Sequence, residues 1–254
     1  MRLAHSEFGA GRPLVVLHGL FGSGRNWSGF ARRLTGYRVI AVDARNHGAS
    51  PWADDMDYAA MAGDVRELIG ALSLDRPAVL GHSMGGKTAM MAALMRPEAI
   101  GALIAADVAP AAYSHSHLPL VRAMQAVDLT RVHRRADADA ALAGAAPDPA
   151  MRDFILQNLV FENGAARWRI NLASIAAHMT PLIGWSVPPG AGVYDGPALF
   201  VHGGKSAYVR PEHRGEIRRL FPRAEIVTID GAGHWIHSDR PVEFVAAVER
   251  FLKD

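Results

Sequence analysis

Short apolar runs recur along the chain, most of them closed by a glycine, a histidine or an aspartate. Leu14-Val15-Val16-Leu17 ends at His18-Gly19, residues 38–42 end at Asp43, and Ala78-Val79-Leu80 ends at Gly81. Residues 102–106 end at Asp107, 198–201 at His202-Gly203, and 225–229 at Asp230-Gly231. The runs are continuous rather than alternating, which suits strands of a parallel sheet covered on both faces.

Helical spacing alternates with these runs. Residues 58–72 carry apolar positions at helical intervals and follow Asp57, a fitting N-cap. Residues 86–95 are rich in Ala, Met and Leu and stop before Pro97. Residues 211–220 and 241–252 each open on a proline, which suits a first helical turn. Strands alternating with helices predict an α/β fold with a mostly parallel, doubly wound sheet. The alternation lapses between about Pro110 and Pro197, where no good strand run is legible. Four helices are expected there, near 118–127, 137–143, 148–160 and 172–178. A helical insertion at that point would lie over the C-terminal ends of the strands, where open α/β sheets bind ligands. The expected organisation is therefore a core of residues 1–110 and 197–254 with a helical lid over 111–196.

Composition narrows the function classes. A chain of 254 residues can bury one sizeable core but not two full domains. Its net charge is only +2, and pairs such as Arg32-Arg33, Arg134-Arg135 and Arg218-Arg219 lie far apart, so nucleic acid is not an expected partner. The absence of cysteine excludes disulfides, zinc–thiolate sites and thiol nucleophiles. No apolar run approaches the length of a membrane span, and the N-terminus reads as no signal peptide, so a cytoplasmic protein, monomer or homodimer, is expected. His115 and His117 lack a clear third ligand, and Gly19, Gly22 and Gly24 do not have a nucleotide-loop spacing. Neither a metal nor a cofactor is expected.

The strongest chemical signal is Gly81-His82-Ser83-Met84-Gly85-Gly86, placed directly after a strand run and directly before a helix. A strand-to-helix turn that sharp crowds its neighbours, and glycine at 81 and 85 removes the side-chain carbons that would collide. It presents the Ser83 hydroxyl at the positive end of the helix. A serine needs a base to act as nucleophile. His234 in Gly231-Ala232-Gly233-His234-Trp235 follows the last strand run and is the best placed of the 12 histidines, with His237 the nearest competitor. A carboxylate must orient that imidazole. The loop 202–209, where such an acid often stands, contains none, and Ser206 occupies the usual place. Asp107, one helix and one strand beyond Ser83, is the preferred acid, with Asp43 and Asp230 as competitors. An oxyanion would be met by the backbone N–H groups of Met84 and of Leu20, with Phe21 second to Leu20. Phe21, Met84, Tyr208 and Trp235 are candidates for the acyl pocket, together with Met124, Phe154, Phe161 and Trp185 of the insertion. The stretch from Asp43 to Pro51 reads as polar scaffolding beside the site.

Taken together, these motifs resemble the esterases and thioesterases of the α/β-hydrolase fold. The residues that carry the likeness are His18-Gly19-Leu20-Phe21-Gly22-Ser23, Asp43-x-Arg45-Asn46-His47-Gly48-x-Ser50, Gly81 to Lys87, Asp107-x-Ala109-Pro110 and Gly231 to Trp235. The bacterial acyl-esterase branch and the related mitochondrial abhydrolase-domain proteins are the most similar. That branch carries its acid after the strand that follows the nucleophile helix, which maps onto Asp107. The resemblance implies a covalent acyl-enzyme, no cofactor, and small-molecule ester or thioester substrates with short to medium acyl chains. Ser83 argues against dehalogenases and epoxide hydrolases, which use an aspartate nucleophile. A cofactor-free haloperoxidase, a C–C bond hydrolase, or a slow-turnover ligand receptor on the same scaffold remain alternative readings.

Overall fold

The structure, a computed structural model, describes residues 1–253. Its centre is a seven-stranded sheet built from β1 (His5–Phe8), β2 (Arg12–Leu17), β3 (Tyr37–Val42), β4 (Ala78–His82), β5 (Ala102–Ala106), β8 (Ala198–Gly203) and β9 (Ala224–Ile229). The spatial order is β1-β3-β2-β4-β5-β8-β9. Strand β1 pairs antiparallel with β3, and every other pairing is parallel. The apolar runs therefore form a mostly parallel sheet, as expected. Edge strand β1 escaped the sequence reading because His-Ser-Glu-Phe carries no apolar run.

Alternation along each strand feeds two cores. On β2, Val15 and Leu17 face one layer, while Leu14 and Val16 face the other. The first layer packs Met61, Val65 and Leu68 of helix Tyr58–Ala71 and Met90 of helix Met84–Met95 against the sheet. The second takes Trp27 and Phe30 from the turn before β3, and Phe244, Val248 and Phe251 from the last helix, Pro241–Lys253. Asp57 caps the first of these helices by accepting from Ala60 N at 2.7 Å.

Between β5 and β8 the chain leaves the sheet. It forms the helices Leu118–Ala126, Arg135–Leu142, Pro149–Leu156, Leu172–Ala177 and Met179–Ile183. It also forms an antiparallel hairpin of β6 (Leu159–Glu162) and β7 (Ala165–Trp168), where no strand was expected. The expected helix 148–160 ends at Leu156 because Asn158 turns back: its Nδ2 donates to Phe21 O at 2.8 Å and to Ile155 O at 3.1 Å. Further bonds tie this segment to core loops. Tyr58 Oη donates to Leu182 O at 2.6 Å, and Asn171 N donates to Asn46 O at 2.9 Å. No helix of the described residues is long and apolar enough to cross a membrane.

The polar stretch after β3 is fastened by a buried ion pair. Arg45 Nε and Nη2 donate to the two oxygens of Asp64 at 2.7 and 2.9 Å. The two residues are 6% and 2% exposed. Removing one partner of such a pair strands the other charge away from water. Asp64→Ala is expected to lower the unfolding free energy by about 3 kcal/mol, read as a shifted urea midpoint with an unchanged slope.

Candidate active site

Loops at the C-terminal ends of β2, β4, β5, β8 and β9 converge on one edge of the sheet. Ser83 sits at the turn between β4, the middle strand, and helix Met84–Met95. Its backbone lies at φ 51°, ψ −116°, a strained conformation for a residue with a side chain. The surroundings over-determine it. Ser83 N donates to Ala106 O at 3.0 Å, and Lys87 N donates to Ser83 O at 3.0 Å. A Cβ on Gly81 would meet the carbonyl of Gly85, and one on Gly85 would meet the carbonyl of Leu17, so backbone lies where any side chain would begin. The two glycines do what the sequence pattern requires of them.

His234 stands after β9. Its Nδ1 donates to Asp107 Oδ2 at 2.7 Å, which leaves Nε2 as the free ring nitrogen of the neutral imidazole. Its backbone carbonyl accepts from His82 Nε2 at 2.8 Å, and the Tyr208 ring stacks on the imidazole at 4.0 Å with an 18° interplanar angle. Asp107 is fully buried at the end of β5. Its carboxylate also accepts from Ser206 Oγ at 2.5 Å and from Gly203 N at 3.0 Å. Ser206, which stands where a carboxylate was sought, thus binds the carboxylate that lies elsewhere. The competing acids are otherwise engaged or outside. Asp43 accepts from Gly24 N at 2.7 Å and Ala49 N at 2.8 Å, bracing its own loop, and Asp230 is exposed.

Two cavities meet at Ser83 and also share Leu20 and His117. One opens on about 520 Å³ of space, part of it continuous with solvent, and is lined by Phe21, Met151, Phe154, His234 and Trp235. The other opens on about 420 Å³ of such space and is lined by Met84, Lys87, Val108, Tyr113, Met179 and Tyr208. The candidates Leu20, Phe21, Ser83, Met84, Tyr208, His234 and Trp235 therefore all border this space, with Asp107 behind His234. Of the pocket residues expected from the insertion, Phe154 is present and three are not. Met124 turns into the core, where its carbonyl accepts from Trp168 Nε1 at 3.0 Å. Phe161 is exposed on the unexpected hairpin, and Trp185 packs near the Tyr58 ring at 6.3 Å. Lys87, Tyr58, Tyr113, Met151 and Met179 were not foreseen. Only Lys87 carried a local signal, since a residue four positions beyond Ser83 shares its helix face.

Burial disfavours the charge on the other histidines around this space. It lowers His18 and His115, takes His82 well below its usual range, and holds His117 and His237 at about 4. His237 is also stacked on Trp27 at 4.3 Å, which removes it as a rival to His234.

Comparison with known proteins agrees with this architecture. The family profile described as α/β hydrolase fold matches residues 12–241. The chain is 44% identical over 248 residues to the sn-1-specific diacylglycerol lipase ABHD11 of Mus musculus, covering 94% of this chain and 80% of that protein. It is 35% identical over 244 residues to esterase YbfF of Escherichia coli (strain K12), covering 95% and 93% of the two chains. Among solved structures, a marine microorganism esterase superposes with a TM-score of 0.94 at 37% identity, covering 98% of this chain and 99% of the other. The chain belongs to the α/β-hydrolase fold family, within its carboxylic ester hydrolases.

Proposed function

We propose that this enzyme hydrolyses esters and thioesters of short to medium acyl chains by two-step acyl transfer to water, with Ser83 as nucleophile, His234 as base and Asp107 as the orienting acid. The observation that carries this reading is the hydrogen bond from His234 Nδ1 to a buried carboxylate, beside a strained serine in the same cavity. Asp107 fixes the tautomer, so Nε2 takes the proton from Ser83 Oγ as the hydroxyl attacks the acyl carbon. Charge then develops on the carbonyl oxygen. Leu20 and Met84 border the cavity, and their backbone N–H groups meet no protein acceptor among the described residues, which leaves them available to that oxyanion. His234 next protonates the departing alcohol or thiol, and water repeats the attack on the acyl-enzyme.

The insertion 111–196 serves as the lid. It brings His117, Met151 and Phe154 to one cavity and Tyr113, Met179 and Leu182 to the other. The apolar lining, with Phe21, Tyr208 and Trp235 from the core loops, suits short acyl chains, and the esterase and lipase relatives agree with a carboxylic ester substrate.

A fluorophosphonate probe is expected to label the folded protein at Ser83, with labelling lost in Ser83→Ala; labelling of any other residue instead would overturn the assignment. Asp107→Asn offers His234 a neutral partner and permits the wrong tautomer. It is expected to lower kcat on a p-nitrophenyl ester by about 10⁴-fold with the fold retained by circular dichroism. Unchanged activity would return the acid's role to another carboxylate.

A further inference from the structure

Lys87 is a buried cation that the hydrolytic scheme does not use. It stands one helical turn beyond Ser83, is 2% exposed, and borders the same cavity as Ser83 and Met84. Its Nζ donates to Ile183 O at 3.1 Å and to Gly184 O at 2.7 Å. The rings of Tyr113 and Tyr58 lie 4.5 and 5.6 Å from it. An ammonium has three donors, and two are used. No Asp or Glu pairs with it among the described residues, whereas buried Arg45 has Asp64. Burial alone pushes its pKa down to about 7.

The groups that face Lys87 leave it as the cavity's positive charge. Tyr58, Tyr113 and Tyr208 are held neutral by burial, which raises their pKa values. Burial lowers His117 to about 4 and lowers His115 as well, so the charge on both rings is disfavoured. The nearest carboxylate of the site, Asp107, is occupied by His234, Ser206 and Gly203.

The position of His234 assigns the two cavities. His234 must protonate the leaving group, and it lines the cavity of Phe154 and Trp235 rather than that of Lys87. The leaving group therefore departs through the former, and the acyl chain extends past Met84 into the latter. We propose that this second cavity is an acyl subsite in which Lys87 binds a carboxylate at the far end of the chain, so that the enzyme selects half-esters of dicarboxylic acids. This rests on the hydrolase reading of Ser83. In the reaction, water replaces the alkoxy group on the ester carbonyl: one C–O bond breaks and one forms. The alcohol leaves carrying a proton, and a dicarboxylate and one further proton are released.

Monomethyl adipate and methyl hexanoate test this, because they share the methyl leaving group and chain length and differ in the terminal group. With kcat/KM measured by methanol release, the wild type is expected to prefer the half-ester by about tenfold or more at about pH 6, where Lys87 is still charged, the scale of one charge-assisted hydrogen bond. The parameter kcat/KM reports groups of the free enzyme, and the requirement for neutral His234 is common to both esters, so it cancels in their ratio. Lys87 loses its charge as pH rises through about 7. The preference should therefore be full at lower pH and fall as pH rises past that value, while the adipate carboxylate stays ionised. Lys87→Met should abolish both the preference and its pH dependence. Lys87→Arg should keep the preference and remove its decline with pH. A wild type that hydrolyses methyl hexanoate with no preference for the half-ester, or a preference untouched by Lys87→Met, overturns the proposal and leaves the hydrolase reading standing. If neither ester is turned over and Ser83 takes no fluorophosphonate, the hydrolase reading itself fails.

Discussion

Everything in the site hangs on how closely the backbone packs at the end of β4. The sheet delivers the chain to Ser83, and the next helix starts at once. There is room for that only because Gly81 and Gly85 lack side chains, since the carbonyls of Gly85 and Leu17 occupy the positions where side chains would begin. Gly86 belongs to the same packing, for a Cβ there would press on Val108 beside Asp107. The turn thereby sets the spacing of β2, β4 and β5 at their C-terminal ends. That spacing places the Leu20 loop, Ser83 and Asp107 around one space. The strain at Ser83 is held by hydrogen bonds to Ala106 on one side and from Lys87 on the other. It is thus paid for by the same strands that position the neighbours.

Asp107 is the second fixed point, and it works by joining three pieces of chain. A buried carboxylate is stable in an apolar interior only when its oxygens are satisfied. Here the donors come from β8, from the loop after β8 and from the loop after β9. Ser206 adds a bond that an aspartate at 206 would replace with repulsion, because two carboxylates that close cannot both stay ionised. A serine at 206 and an acid at 107 are in that sense one choice. Stacking of Tyr208 on His234 places a π face against the imidazole, a face that in the proposed mechanism would favour the cation formed as the ring takes a proton.

The core and the candidate catalytic residues were legible in the sequence because each depends on local patterning. Continuous apolar runs marked the parallel strands, and glycines around Ser83 marked a turn whose sterics admit little else. The missing carboxylate near Ser206 is itself a sequence signal for Asp107. What stayed hidden depends on contacts between residues far apart in the chain. Strand β1 is built of His5, Ser6, Glu7 and Phe8, and only its pairing with β3 makes it a strand. The hairpin β6–β7 forms because Asn158 bonds back to Phe21, 137 residues away, and ends the preceding helix. Met124 and Phe161 looked like pocket residues by type. Their orientation is set by a helix buried in the first core and by that hairpin. Tyr58 and Tyr113 reach the cavity from elements separated by two strands and a helix.

Electrostatics then separates one histidine from a crowd of them. His18, His82, His115, His117 and His237 surround the cavities, yet burial disfavours the charge on each. Among the described residues none of them is bonded to a carboxylate, and His82 instead uses Nε2 to hold the backbone of His234. A proton arriving in this space has one imidazole with an anionic partner, and that is His234. The buried rings of His18 and His82, with His237 stacked on Trp27, form a neutral, polarisable wall behind the site that strengthens the His234–Asp107 attraction. Burial likewise makes an unpaired cation at Lys87 unfavourable in the empty enzyme. A ligand carboxylate that neutralises Lys87 would relieve that penalty, so a charge costly to the free enzyme becomes a source of selectivity when substrate is bound.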